Sequence, residues 1–560
     1  MSENSAPGGP RAYQPADGPR GPRYFTNPNP TQNQPVPNAF QSQPQGRAPA
    51  FQQPRPVQPA RTQKPPRKGF PVFGILALAV LTAMLMIFAV TVVISMQRYT
   101  PIRGISNSPY VGINNYERVL SMPTTPPAMG TTLAMRLFEG LLSLLVAAAF
   151  CALYYAVKKP GAALLLGCLW LIPVCVPPVS MAMLVTKTLG LRPVSHEAGI
   201  AGYALSTFLQ TAGLFCFSGG LFTALNLMKK GKAGKGPYFG LLIGALVWLL
   251  AGMTTNLDAD LSTSTAMSGA GSLDRLIYAQ SFMNANFGVS GAMSVIKVLL
   301  QIALAIVPLV VLCILARKKS TKGKTPLMVL WVFLAFLTVF GASIAVGFLG
   351  GITGASPIVT GLLNSLMVSL MGGCLGGLIA YSFVHLMRRS PSLLFGLIAV
   401  LLCAAMSCKA AQYLLMQQMS IVNTLYPAVL LAAFDPRLIL LSSLLAFALR
   451  DHMERRPGSL VLAMALLCAA FAWGNMTLPM LYTNSRALYT LPYYLRQVTL
   501  NTVSSSAADT SQSMVQAYGE RMKTEQILRL LTALPPMLLG VGGALLMKRA
   551  FNPFNQMAKG

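Results

Sequence analysis

Long apolar runs separated by short polar segments dominate the chain from residue 70 onward. Twelve of them read as membrane-crossing helices: 70–96, 131–157, 161–186, 201–228, 237–253, 289–316, 326–350, 358–387, 391–417, 421–449, 458–478 and 527–548. A crossing helix needs about 20 apolar residues, and several runs are longer, so tilt or breaks are expected. The fifth run is short and flanked by glycine. Before residue 70 the pattern vanishes. Residues 1–69 are rich in Pro, Gln, Asn and Arg and poor in large apolar side chains. Such a segment cannot offset its ordering entropy, which predicts a disordered basic tail with polyproline character. The first apolar run is too long for a signal-peptide core and reads as a spanning anchor.

The spans fall into two sets of six. The sixth holds Pro308 and stops at Arg317-Lys318-Lys319; the twelfth holds Pro535-Pro536 and stops at Lys548-Arg549. Long polar segments, 254–288 and 479–526, precede both. The fold class expected is therefore all-α integral membrane, with about twelve transmembrane helices as two six-helix halves behind a disordered N-terminal tail. The domains are 1–69 (tail), 70–319 (first half) and 320–560 (second half). Duplication of this kind is common in transporters.

Composition sharpens this. Of 560 residues, 54% are hydrophobic and 10% charged, against about 25% charged in ordinary soluble domains, which excludes a soluble enzyme. The net charge of +29 would suggest nucleic acid in a soluble chain. Here its placement decides otherwise. With the tail inside and the spans alternating, short inner segments hold Lys158-Lys159, Lys229 to Lys235, Arg317 to Lys324, Arg388-Arg389, Arg450 to Arg456 and Lys548-Arg549. The outer segments carry nearly balanced acids and bases. By the positive-inside rule both termini are cytoplasmic in a multi-pass plasma-membrane protein, and no nucleic acid is needed. All nine cysteines lie in apolar stretches without a CxxC pair, as packing residues do.

Charges inside spans are costly and mark candidate sites. Asp435-Pro436-Arg437 lies midway along 421–449. Pro436 is expected to break that span, and interrupted spans often carry midplane sites. Asp435 and Arg437 either bind a polyol or pair with each other. Arg136 and Glu139 are three apart and share a helix face, which favours an internal pair. Lys297, two turns into the sixth span, has the reach to snorkel outward. These charged side chains, Asp435, Arg437, Arg136, Glu139 and Lys297, with Asn475, are the candidate pathway residues. Gly372/Gly376 and Gly373/Gly377 repeat the GxxxG spacing of close helix packing. No P-loop, HExxH, GxSxG or paired-carboxylate motif occurs, so the chain is expected to be no enzyme and to need no cofactor or metal; ATP use would fall to a partner.

Several motifs follow in order along the chain. The segment after the first span contains Tyr110-Val111-Gly112, Asn115-Tyr116 and Leu120; the third span contains Leu171-Ile172-Pro173 and Pro177-Pro178-Val179. Gly269, Leu276, Tyr278, Phe282, Phe287-Gly288, Ala292 and Ser294 follow. The second half has Asn364-Ser365-Leu366, Ala380-Tyr381, Asn423-Thr424-Leu425 with Pro427, Trp473-Gly474-Asn475 with Leu478-Pro479, and Tyr489-Thr490-Leu491-Pro492. This order resembles the permeases of sugar-type ABC importers, the maltose and glycerol-phosphate class, with two normally separate chains fused. The resemblance implies alternating access for a carbohydrate or similar small solute. It also implies an extracellular solute-binding protein, ATPase subunits inside, and membrane lipid around the spans.

One departure stands against it. That family docks its ATPase through an inner-loop helix with a Glu-Ala-Ala run. The corresponding loops here are Lys229 to Gly236, with Lys229, Lys230, Lys232 and Lys235, and Arg450 to Gly458, with Arg450, Asp451, Glu454 and Arg455. Neither contains the run, and both are short. The alternative expectation is a permease-like membrane scaffold or regulator that has lost ATPase coupling.

Overall fold

The computed structural model describes residues 72–188, 190, 196–251, 271–315, 356–389, 392–451, 456–505 and 512–551. The tail 1–69, the seventh span 326–350, and Glu454 and Arg455 lie outside the described residues. Everything described belongs to one compact unit, 68–560.

Regular structure among the described residues is all helical. The order is α1 Val72–Ser95, α2 Gly104–Asn107, α3 Asn114–Ser121, α4 Thr125–Ala156, α5 Pro160–Leu169, α6 Leu171–Val174, α7 Pro178–Thr188, α8 His196–Lys230, α9 Gly236–Ala251 and α10 Leu273–Tyr278. A π-helical turn, Ala279–Met283, leads to α11 Phe287–Leu315. The remainder is α12 Pro357–Arg389, α13 Ser392–Ser407, α14 Lys409–Gln418, α15 Tyr426–Ala432, α16 Pro436–Asp451, α17 Pro457–Gly474, α18 Thr477–Tyr482, α19 Leu491–Ser505 and α20 Gln512–Phe551. Prolines open α4, α5, α15 and α17, where the first turn has no N–H to lose.

Eight described helices are long and apolar enough to cross a membrane, and ten crossings result if each of two sharply bent pairs counts as one. The expected twelve are thus met in part. The seventh is not described, and the fifth, α9, is only 16 residues long. α8, α15–α16 and α17 are mostly buried and form the centre, whereas α1, α4, α11 and α20 are only about a third buried. Their outer faces present Leu78, Met86, Leu141, Leu145, Ile306, Val307, Leu530 and Leu538. An apolar belt of that extent is stable against lipid, not water.

Both bends fall in the expected third span of a half. α5–α6 turns by 82° into α7, and α13 by 72° into α14. The first bend follows from Pro177-Pro178; the second occurs at Ser407-Cys408, with no proline. A second feature recurs. Thr132 Oγ1 of α4 accepts the N–H of Leu273, the first residue of α10, at 2.8 Å. Ser365 Oγ of α12 accepts the N–H of Leu491, the first residue of α19, also at 2.8 Å. In each case a hydroxyl near the start of one crossing holds the short helix that precedes the last crossing. Packing repeats too: α4 lies on α8 and α9, and α12 on α16 and α17.

Pro436 does interrupt its span, as expected. α15 ends at Ala432 and α16 starts at Pro436, yet the two pieces keep one direction and together form a 25-residue crossing.

Candidate functional site

Two buried ionic centres sit beside the two bends. The first is built on α4, α8, α10 and α11. Arg136 Nη1 donates to Glu139 Oε2 at 3.1 Å and to Oε1 at 3.4 Å, the expected internal pair. The Thr211 hydroxyl of α8 also donates to Glu139. One turn before Arg136, Thr132 holds the start of α10. That places Asp274 where its field reaches Arg136. Lys297 of α11 then donates from Nζ to Asp274 Oδ1 at 2.5 Å. The result is an alternating series, Glu139, Arg136, Asp274, Lys297, drawn from three helices and summing to zero charge. A lone charge in this setting would carry a large desolvation penalty; alternation offsets it.

Lys297 therefore departs from the expectation that it snorkels outward. It is completely buried, because Asp274, assigned by sequence to an outer segment, turns in beneath it. Around the same helix, Gln301 Nε2 donates to Ser407 Oγ at 3.2 Å, and the Lys297 charge reaches Cys408. The first centre thus abuts the bend between α13 and α14.

The second centre is Asp435 and Arg437. Arg437 donates from Nε to Asp435 Oδ1 at 2.9 Å and from Nη2 to Oδ2 at 2.7 Å, with its backbone N–H also on Oδ1 at 2.9 Å. The guanidinium lies 4.3 Å from the centre of the Phe471 ring. Of the two expectations, pairing with each other is the one observed. The field of this pair reaches Cys175, at the bend between α6 and α7. Each bend therefore faces an ionic centre contributed by the other half of the sequence.

Because the Arg437 fork is bidentate and stacked, lysine cannot replace it. Arg437→Lys is expected to cost about 1–2 kcal/mol, read as a lower unfolding temperature in detergent. A melt matching the wild type would show that neither the fork nor the ring contact contributes.

The other expected residues do not join these centres. Asn475 Oδ1 accepts the N–H of Leu478, in the first turn of α18, at 3.0 Å. Lys229 and Lys230 are exposed in the last turn of α8, and Lys232 and Lys235 on the turn between α8 and α9. That turn spans only residues 231–235 and relies on left-handed Gly231 and Gly234. Arg450 was expected in a loop. It is instead buried near the end of α16 and donates to the Met387 carbonyl at 3.4 Å, since α16 continues to Asp451.

Sequence reasoning missed Asp274 and Thr211 as members of the first centre. It also missed a third pair, Arg529 to Glu525 at 2.5 Å, whose Oε1 accepts from Thr499 at 3.3 Å. The i,i+4 spacing of that last pair was the available signal. No cluster of three His, Cys, Asp or Glu side chains suited to a metal occurs among the described residues. No family model matches the chain, and no curated protein matches it.

Proposed function

We propose that the chain is the permease component of an ABC-type importer for a carbohydrate or similar small solute, with both permease halves fused. The observation that carries this reading is the recurrence across two halves: a third span bent by 72–82° and a hydroxyl-to-backbone bond holding the helix before the last span. Paired repeats with discontinuous helices suit alternating access, in which the halves rock about a fixed site. The ionic centres then serve as rigid contacts at the bends between the halves. Solute arrives with an external binding protein, both termini face the cytoplasm, and separate ATPase subunits drive the cycle.

The test is purification of the full chain from its host membranes, followed by identification of bound subunits and ATPase assay with the binding protein. Co-purified ATPase, stimulated several-fold by the loaded binding protein, is the expected outcome. A folded protein that brings no ATPase with it would sink the importer reading.

The exposed basic turn 231–235 favours a second reading, a permease-like scaffold or regulator without ATPase coupling. It has neither the length nor the acidic residue for a docking helix. Grafting a Glu-Ala-Ala helix into that turn separates the two: gained ATPase binding indicates a competent permease frame, and continued inertness indicates the scaffold.

A further inference from the structure

Six aromatic rings from both halves of the sequence meet at one place. Tyr99, Tyr278, Phe282 and Phe287 come from the first half, Tyr413 and Tyr482 from the second. Phe282 stands edge-on to Tyr413 at 5.2 Å, and Tyr482 stacks on Tyr413 at 5.8 Å. Phe287 is 5.5 Å from Tyr99 and 6.4 Å from Tyr413, and Tyr278 is 5.5 Å from Phe282. Tyr482 is wholly buried, while Tyr99, Tyr278, Phe282 and Tyr413 keep partly exposed edges.

Three features are out of keeping with a plain packing cluster. The Tyr482 hydroxyl is buried with no hydrogen-bond partner among the described residues, and leaving a polar group so costs about 1–3 kcal/mol. Phe282 lies on the π-helical turn Ala279–Met283, a local form that concentrates at functional sites. Two of the three non-glycine residues with left-handed φ among those described, Ala285 and Asn423, border the rings. Ala285 separates the π turn from α11, and the Asn423 N–H donates to the Tyr482 carbonyl at 2.7 Å. Unusual backbone at two points around one cluster points to function rather than packing.

The chemistry narrows the occupant. Ring faces take the C–H face of a ring-shaped solute, and the phenols supply hydroxyls. Burial, then the neighbouring Tyr413 phenol, holds the Tyr99 and Tyr482 phenols above the ordinary tyrosine range, so they stay protonated donors. The Arg496 cation acts on Tyr278, which disfavours a cationic ligand beside that ring.

We propose that this aromatic junction is a solute-binding site for a neutral, hydroxyl-bearing ring, a sugar or cyclic polyol, with the Tyr482 hydroxyl as a hydrogen-bonding partner. It deepens the importer reading by naming solute class and contact residues, but binding in detergent needs no ATPase. Failure to recruit ATPase leaves the site standing, and failure to bind leaves subunit recruitment standing.

The test is calorimetric titration of the purified full chain with glucose, maltose and myo-inositol, with choline as the cationic comparator. Saturable binding of at least one neutral ring and none of choline is expected. Tyr482→Phe should melt no lower than the wild type, since no internal bond is lost, yet bind about 2–10-fold more weakly, the equivalent of one hydrogen bond. Tyr413→Phe, which keeps the ring, controls for a general packing effect and should also retain its melting temperature. No binding of any neutral ring, tighter binding of choline, or unchanged affinity in Tyr482→Phe would each overturn the assignment.

Discussion

Lys297→Met should lose about 3–5 kcal/mol of stability, the usual cost of breaking a buried ion pair from one side. Methionine fits the space of the lysine stem, so the loss is not a cavity effect. It arises because Asp274 is left as a buried anion with its 2.5 Å partner gone. The Arg136 charge lessens the deficit but is already held by Glu139. The companion change Asp274→Asn removes the orphaned charge, and the double variant should recover most of the loss. Thermal unfolding in detergent reads both. A snorkelling lysine makes the opposite prediction: methionine would be neutral or better in the apolar helix. A wild-type melt for Lys297→Met would therefore remove the four-charge series.

That contrast also marks how far the sequence reaches. Apolar runs of about 20 residues announce themselves, and α1, α4, α11, α12 and α20 lie where the runs do. Two local pairs are equally plain, because helix and turn geometry fixes them. Arg136 and Glu139 share a face at i,i+3, and Asp435 and Arg437 flank Pro436 closely enough for the carboxylate to accept both the backbone N–H and the guanidinium of Arg437. The Asp274–Lys297 pair is different. Its members are 23 residues apart, and they meet only because Thr132, on another crossing, fixes the start of α10. Nothing in the local pattern specifies that distance, so hydropathy alone put Asp274 outside and let Lys297 snorkel. The bend at Cys408 was hidden for a similar reason. No glycine or proline marks it; Gln412 Nε2 reaches back to the Ala405 carbonyl at 2.9 Å, satisfying a backbone group the bend exposes. The aromatic junction was visible only as scattered rings, since its six members come from five separate segments.

Gly377→Val should cost about 3 kcal/mol or more, beyond ordinary overpacking. The sequence offers two equivalent GxxxG frames on α12, but the fold uses them differently. A Cβ at Gly377 would stand 2.6–2.8 Å from the Cβ, Cα and N of Ala465 on α17, and one at Gly373 would stand 2.6 Å from Ala469 Cβ and 2.9 Å from the Ala465 carbonyl. Those neighbours are backbone or bonded directly to it, so relief requires the helices to part. At Gly376 the nearest atom is the Cys468 sulfur, which can rotate, and at Gly372 the neighbours lie at ordinary contact, 3.4–3.5 Å. Gly372→Ala should therefore melt like the wild type while Gly377→Ala already melts lower. Parting α12 from α17 also stretches the Ser369 bond to the Ala469 carbonyl, now 2.8 Å, and shifts Phe471 beneath Arg437. Gly377→Ala should consequently weaken the second ionic centre, so that Arg437→Lys costs less in that background than alone. Equal costs in both backgrounds would mean that the helix crossing and the Asp435–Arg437 centre are energetically independent.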